Sequence, residues 1–169
     1  IANIYDDHID HEWYINKESK KLFSSVKNLS KHQFFDIVPR KDAIEIMIKK
    51  IHILLSIGNL NKYQMPSKVI EYLSLGKPVL HFAEIEDDPL YNFEELFDNL
   101  MIINNKTTKN ELEVYFDNIK EKKCLKYISM GLKEDLRVGT MQVQKIMLHH
   151  QKKVRNSQAF LPSMISWQY

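Results

Sequence analysis

The segment HILLSIGNLNKYQMPSKVIEYLSLGKPVLHF, residues 52–82, decides the fold. It opens with an apolar run without alternation, which is typical of a strand covered on both faces of a parallel sheet. A helix is predicted from Pro66 to Leu75, with Pro66 at its first position and Gly76 as the residue that ends it. The run PVLHF (78–82) then predicts a second buried strand. This strand–helix–strand unit indicates an α/β domain with a parallel sheet and helices on both faces.

The rest of the chain continues the alternation of strands and helices. Further strands are predicted at ANIY (2–5), QFFDIV (33–38) and LMII (100–103), and helices from His11 to about Leu29, at 40–51, near Asn92 to Phe97, at 108–123 and in the segment 134–154. We therefore expect a Rossmann-like domain over residues 1–135, followed by a C-terminal helix and tail over 136–169.

Composition limits the classes of fold and function that are possible for this chain. The chain has 169 residues, 44% hydrophobic and 27% charged, which suits one globular domain. A net charge of +2 gives no support for nucleic-acid binding. One cysteine excludes an internal disulfide. No apolar run approaches the ~20 residues of a membrane-spanning helix, and the charged start of the chain predicts no secretory leader. The first residue is not methionine, which leaves open whether the chain is a fragment.

The start of the predicted helix at 66–75 is the candidate site. Its unpaired N–H groups and the positive end of its dipole favour an anion, and Lys68 adds a point charge. Glu71, one turn further in, would accept hydrogen bonds from two neighbouring hydroxyl groups. A phosphate at the turn with a ribose beyond it matches the order of these groups in a nucleotide diphosphate. The alternative is that Glu71 is a solvated residue that pairs with Lys68.

This segment resembles the donor-binding half of family 4-type bacterial glycosyltransferases, which have two Rossmann-like domains (the GT-B fold). The resemblance covers residues 34–103 well and 1–5 weakly. It implies that Glu71 is the second glutamate of the family's Glu-x7-Glu motif and binds the donor ribose. It also implies that Pro66, Ser67 and Lys68 form the turn that binds the donor diphosphate. Gly58 and Asn59 would border the same pocket.

Two departures from the family pattern have consequences. Tyr63 stands where the motif has its first glutamate, so the usual contact with the transferred sugar is missing or made differently. The chain also passes from Leu29 to Phe34 without room for one strand and helix of the family fold. Removing that strand from the order 3-2-1-4-5-6 leaves a single sheet of about five strands in the order 2-1-3-4-5, which is our prediction.

The resemblance implies a function that this chain would share with a second domain. We expect the donor-binding half of an enzyme that transfers a sugar from a UDP- or GDP-linked donor to a glycan or lipid-linked acceptor, without metal or other cofactor. Surface polysaccharide synthesis in the bacterial cytoplasm, peripheral to the inner face of the membrane, is the implied setting. Without an N-terminal acceptor domain the chain should not turn over. The rival hypothesis is a non-catalytic module that binds a partner protein through its apolar tail.

Other polar clusters favour structural roles. The stretch DDHIDHE (6–12) could suggest a metal site, but acidic residues that cap a helix are the simpler interpretation. The same holds for EIEDDP (84–89), where general acid–base chemistry is the alternative. His81 is expected to be a packed residue, and Cys124 an incidental one. The basic run HHQKKVR (149–155) could contact anionic lipid or nucleic acid, with a solvated helix face as the default.

Overall fold

The computed structural model describes residues 10–23, 31–121 and 136–157. It confirms an α/β protein with parallel strands. The chain divides into two compact units, an N-terminal unit of residues 1–50 and a C-terminal unit of residues 51–169. Within the described ranges, no helix is both long and apolar enough to cross a bilayer.

The C-terminal unit contains a three-stranded parallel sheet. Its described elements are β3 (Leu54–Ile57), α3 (Ser67–Ser74), β4 (Val79–Phe82), a 3₁₀ helix (Pro89–Leu96), β5 (Leu100–Ile103), α4 (Lys109–Glu121) and α5 (Leu136–Ser157). The strand order is β3-β4-β5, with Val79 in register with Leu54 on one side and Leu100 on the other. The three strands lie where the apolar runs predicted them.

The core of this unit lies between the sheet and the helices that cover it. Val69, Leu90, Phe93 and Met147 are completely buried and belong to one hydrophobic cluster. They come from α3, the 3₁₀ helix and α5, so the cluster joins elements on several sides of the strands. Burying apolar side chains of this size contributes roughly 1.5–3 kcal/mol each. Helix α4 is attached by Tyr115, whose hydroxyl lies 3.1 Å from two carbonyl oxygens, that of Val79 in β4 and that of Asn99 just before β5.

Helix α3 begins one residue later than predicted. Pro66 has an extended backbone (φ −60°, ψ 120°) and is the N-cap, so Ser67 and not Pro66 is the first helical residue. Proline cannot offer a capping side chain, but its carbonyl accepts the N–H of Val69 at 3.2 Å. At the other end Gly76 has φ 65°, the left-handed conformation expected of a residue that terminates a helix.

The N-terminal unit contains a two-stranded parallel sheet. Its described elements are β1 (His11–Tyr14), α1 (Lys17–Phe23), β2 (His32–Phe35) and α2 (Arg40–Lys49). The prediction of a helix from His11 was wrong. Asn16 is the reason, because its side chain accepts the N–H of Ser19 at 2.7 Å and starts the helix only at Lys17. Residues His11–Tyr14 pair with β2 instead. The predicted strand at 2–5 and the stretch 24–29 lie outside the described residues.

The prediction of one sheet in the order 2-1-3-4-5 was also wrong. The described strands form two separate sheets, β1-β2 and β3-β4-β5. No side chain of β1 or β2 is buried. An internal strand of a sheet with helices on both faces would need to be apolar throughout. The predicted internal strand at 2–5 lies outside the described residues, and β1, which pairs with β2 instead, has polar residues at His11 and Glu12, with the Glu12 carboxylate 2.8 Å from Lys50.

Candidate functional site

Three loops meet at the carboxyl edge of the three-stranded sheet. They are residues 58–66 after β3, 83–88 after β4 and 104–108 after β5, and the parallel register brings them side by side. Two ion pairs connect them, Lys62 to Asp87 at 3.9 Å and Lys106 to Glu86 at 2.7 Å. In open α/β sheets this edge is where ligands bind, so the predicted site lies at the appropriate end of the fold.

The start of α3 is open to solvent. Ser67 and Lys68 are exposed, and the Lys68 side chain is 64% exposed. No side chain caps the helix within the described residues. The helix has eight residues, so its first turn combines uncapped backbone N–H groups with the positive end of its dipole. An anion could approach this end without displacing any packed residue.

Glu71 is the predicted site residue whose surroundings differ most from expectation. It was expected either to bind hydroxyl groups of a ligand or to be solvated, yet its side chain is only 10% exposed. Helix α3 contacts α5 as well as β3 and β4, so more of its circumference is covered than in a one-sided amphipathic helix. The Glu71 carboxylate lies 3.0 Å from the Lys68 ammonium. The alternative of a Lys68–Glu71 pair is therefore present in the structure, with a buried glutamate and not a solvated one.

This pair changes the electrostatics of the site. Lys68 is shared between the carboxylate and any anion bound at the helix start, so part of its charge is already neutralised. Tyr72 responds to the same carboxylate, because burial and then the charge of Glu71 raise the pKa of its phenol. A diphosphate would have to compete with Glu71 for Lys68, or else bind alongside both groups.

Gly58 and Asn59 shape the loop after β3. The N–H of Gly58 donates to the Phe82 carbonyl at 2.7 Å, which extends the β3–β4 pairing by one residue. The Asn59 amide donates to the Gln64 carbonyl at 3.0 Å and so closes the loop on itself. Tyr63, in the place of the missing glutamate, is 49% exposed. Asn59 therefore stabilises the loop after β3 from within.

A buried His81–Asp88 pair was not predicted as part of the site. His81 is completely buried in β4, and its Nε2 lies 3.2 Å from Asp88 Oδ2. Asp88 also accepts the N–H of Leu90 at 2.8 Å, which confirms an acidic cap on the helix that follows. The only feature of the sequence that indicates this role of Asp88 is the Asp-Pro dipeptide, which places aspartate at the N-cap and Pro89 at the first helical position.

This buried pair stands directly behind Gly58. A Cβ atom at position 58 would lie 2.5 Å from Asp88 Oδ2, so only glycine fits there without moving the carboxylate. His81 Nδ1 is buried and has no hydrogen-bond partner among the described residues. Because both side chains are out of reach of solvent, the pair is placed to hold the loop after β4 against β4 itself and against the start of the loop after β3.

The remaining predicted features lie elsewhere. The described residues contain no group of three potential metal ligands, and residues 6–9 of the acidic stretch and Cys124 lie outside them. A shallow cavity of about 410 Å³ is lined by Leu96, Lys145, Ile146, His149 and His150. None of the predicted donor-site residues lines it.

Comparisons of the chain with protein-family models, curated proteins and solved structures found no match.

Proposed function

We propose that this chain is the donor-binding half of a glycosyltransferase that uses a nucleoside-diphosphate sugar. The observation that supports the proposal most directly is the open start of α3. The helix is uncapped, carries the exposed Lys68 in its first turn and stands at the ligand edge of a parallel sheet. Glu71, one turn further in, would accept hydrogen bonds from the ribose.

In this proposal each group has a separate task. The backbone N–H groups of Ser67 and Lys68 and the Lys68 ammonium would stabilise the negative charge that develops on the leaving diphosphate. Loop 58–66 would border the pocket. The transferred sugar, the acceptor and the base of the donor are set by groups that the α3 site does not include. A whole enzyme of this kind would need a second domain for the acceptor, and a UDP- or GDP-linked donor suits the site equally well.

A second candidate function is supported by the Lys68–Glu71 pair. A glutamate that is nine-tenths buried and already paired with a lysine is suited to a purely structural role. The chain would then be a non-catalytic α/β module that acts through protein contacts. The two candidate functions differ in whether Lys68 binds added nucleotide: the donor-binding half requires this contact, and the non-catalytic module does not.

Titration with nucleotide while thermal unfolding is followed tests the proposal. We expect UDP or GDP to stabilise the C-terminal unit by about 1.4 kcal/mol at ten times its Kd. Lys68→Ala should remove that stabilisation. Lys77→Ala is the matched control, because Lys77 follows the opposite end of α3 and its removal changes the net charge equally. No stabilisation by either nucleotide at millimolar concentration would refute the proposal.

Two variants of Glu71 separate ribose binding from simple pairing. If Glu71 binds ribose, Glu71→Ala should weaken the binding of UDP, whereas the binding of inorganic pyrophosphate, which has no ribose and no longer competes with Glu71 for Lys68, should not weaken. If Glu71 serves only to neutralise Lys68, Glu71→Gln should release the lysine and strengthen the binding of both ligands. The second result would favour the non-catalytic module.

A further inference from the structure

Helix α5 has an outward face that the proposed donor site does not use. Its inner face is buried against α3, with Val143 at 8% and Met147 at 0% exposure. On the outer side Met141 is 54% and Leu148 43% exposed. Both are large apolar side chains on the side of α5 that does not pack on α3.

The exposed apolar residues alternate with lysines along one stripe. Met141, Lys145, Leu148 and Lys152 follow one another at intervals of four, three and four residues, which places them on one side of an α-helix. All four are exposed. The stripe is about 16 Å long at 1.5 Å per residue. We call these four residues the α5 stripe.

Charge is distributed unevenly between this helix and the rest of the chain. The sequence of α5, LRVGTMQVQKIMLHHQKKVRNS, contains five lysines and arginines and no aspartate or glutamate. The whole chain has a net charge of only +2. The remaining residues are therefore net acidic by three charges (+2 minus +5), and the positive field is concentrated on α5.

We propose that the α5 stripe docks on the surface of an anionic lipid bilayer. Lysines beside exposed Met and Leu suit the boundary between headgroups and acyl chains, because the lysine stem can lie along apolar surface while its ammonium contacts lipid phosphate. Each basic residue near an anionic surface adds attraction, and the absence of acidic residues from α5 removes the opposing repulsion. A nucleic acid would use the lysines but give the Met and Leu side chains no apolar surface.

This docking surface does not depend on the donor site. It lies on α5, and the proposed nucleotide ligands lie at the start of α3. Failure of nucleotide binding would leave the lipid proposal standing, and failure of lipid binding would leave the nucleotide proposal standing.

Co-sedimentation of the chain with vesicles tests the inference. We expect binding to phosphatidylcholine vesicles with about 30% phosphatidylglycerol, and at least tenfold weaker binding to pure phosphatidylcholine. Replacement of both lysines (Lys145→Ser with Lys152→Ser) should weaken partition about 30-fold. Met141→Ser with Leu148→Ser should weaken it by a similar factor while leaving the salt dependence intact.

The control pair is on α4, where Lys109 and Val114 are exposed in the same unit. Lys109→Ser with Val114→Ser should leave vesicle binding unchanged, and circular dichroism should show that every variant is folded. Amide exchange of residues 141–152 should slow when vesicles are bound. Equal loss in the α4 variant, or no preference for anionic vesicles, would overturn the proposal. Tight binding to duplex DNA would also overturn it, if the double variant Met141→Ser with Leu148→Ser bound the DNA equally well.

Discussion

The two sheets of this protein are alike in strand direction and strand length but differ in what stabilises them. Strands β3, β4 and β5 are largely buried, and β4 has three consecutive buried residues. Strands β1 and β2 have none. The β3-β4-β5 sheet is stabilised by burial of apolar surface. The β1-β2 sheet depends on side-chain interactions at its surface, among them the hydrogen bond from Trp13 Nε1 to His32 Nδ1 at 2.9 Å and the Glu12–Lys50 ion pair.

This difference predicts that polar substitutions will have unequal effects in the two units. In the buried sheet, removing one partner leaves another group unpaired and out of reach of water, which costs its full desolvation penalty. In the half-exposed sheet, water can replace the lost partner. Three predictions test this contrast, beginning with the largest effect.

Asp88→Ala should be the most damaging of the three changes. It leaves His81 Nε2 and the Leu90 N–H without their partner inside the core. We expect a loss of about 3 kcal/mol in the free energy of unfolding, measured by urea denaturation with far-ultraviolet circular dichroism. Asp88→Asn is the matched control, because its amide oxygen can still accept the Leu90 N–H, and it should lose about 1 kcal/mol. An alanine variant that loses less than the asparagine variant would contradict this account.

Trp13→Phe should have a smaller effect, confined to the N-terminal unit. An aromatic ring is retained beside Phe23, while the N–H to His32 and part of the indole ring are removed. We expect a loss of about 1 kcal/mol, because His32 is part-exposed and water can donate in place of the indole. Amide exchange of β1 and β2 measures it. A double-mutant cycle with His32→Phe should show coupling between the two positions, and additive losses would disprove the hydrogen bond's contribution.

Acidification should have the mildest effect, again on the N-terminal unit. The hydrogen bond from Lys50 holds the pKa of the Glu12 carboxyl below its ordinary value of 4.5. The pair's contribution is complete above that value and is lost as the pH falls through the lowered pKa. Glu12 in turn raises the pKa of Lys50, so the contribution also declines in strong alkali. Amide exchange of β1 measured between pH 3 and 7 should differ between the parent and Glu12→Gln only at the upper end, and an equal difference at pH 3 would contradict the assignment.

The same contrast explains which parts of the fold could be predicted from the sequence. The strands LLSI, VLHF and LMII are apolar runs that only a buried strand uses, and all three were placed correctly. HEWY has no such signal. Its aromatic residues fit a helical spacing as well as a strand, and what decides the matter is one capping bond from Asn16, a local interaction that competes with the apolar pattern.

The candidate site was predictable in position but not in its internal contacts. Helix α3 and its open start follow from Pro66 and Gly76. Burial of Glu71 does not, because it depends on α5, which lies more than 60 residues further along the chain. The His81–Asp88 pair likewise depends on the path of the loop between them. Strand order failed for a related reason, since it was inferred from a family pattern and not from the polarity of β1.

The contact between Gly58 and Asp88 links two positions that are 30 residues apart in the sequence. No side chain can be added at position 58 while the carboxylate remains in place. Substitutions at the two positions should therefore be coupled, because a residue larger than glycine at 58 requires the group at 88 to shorten and the Phe82 carbonyl, 3.0 Å from the same Cβ position, to shift. In relatives of this chain we expect positions 58 and 88 to vary together.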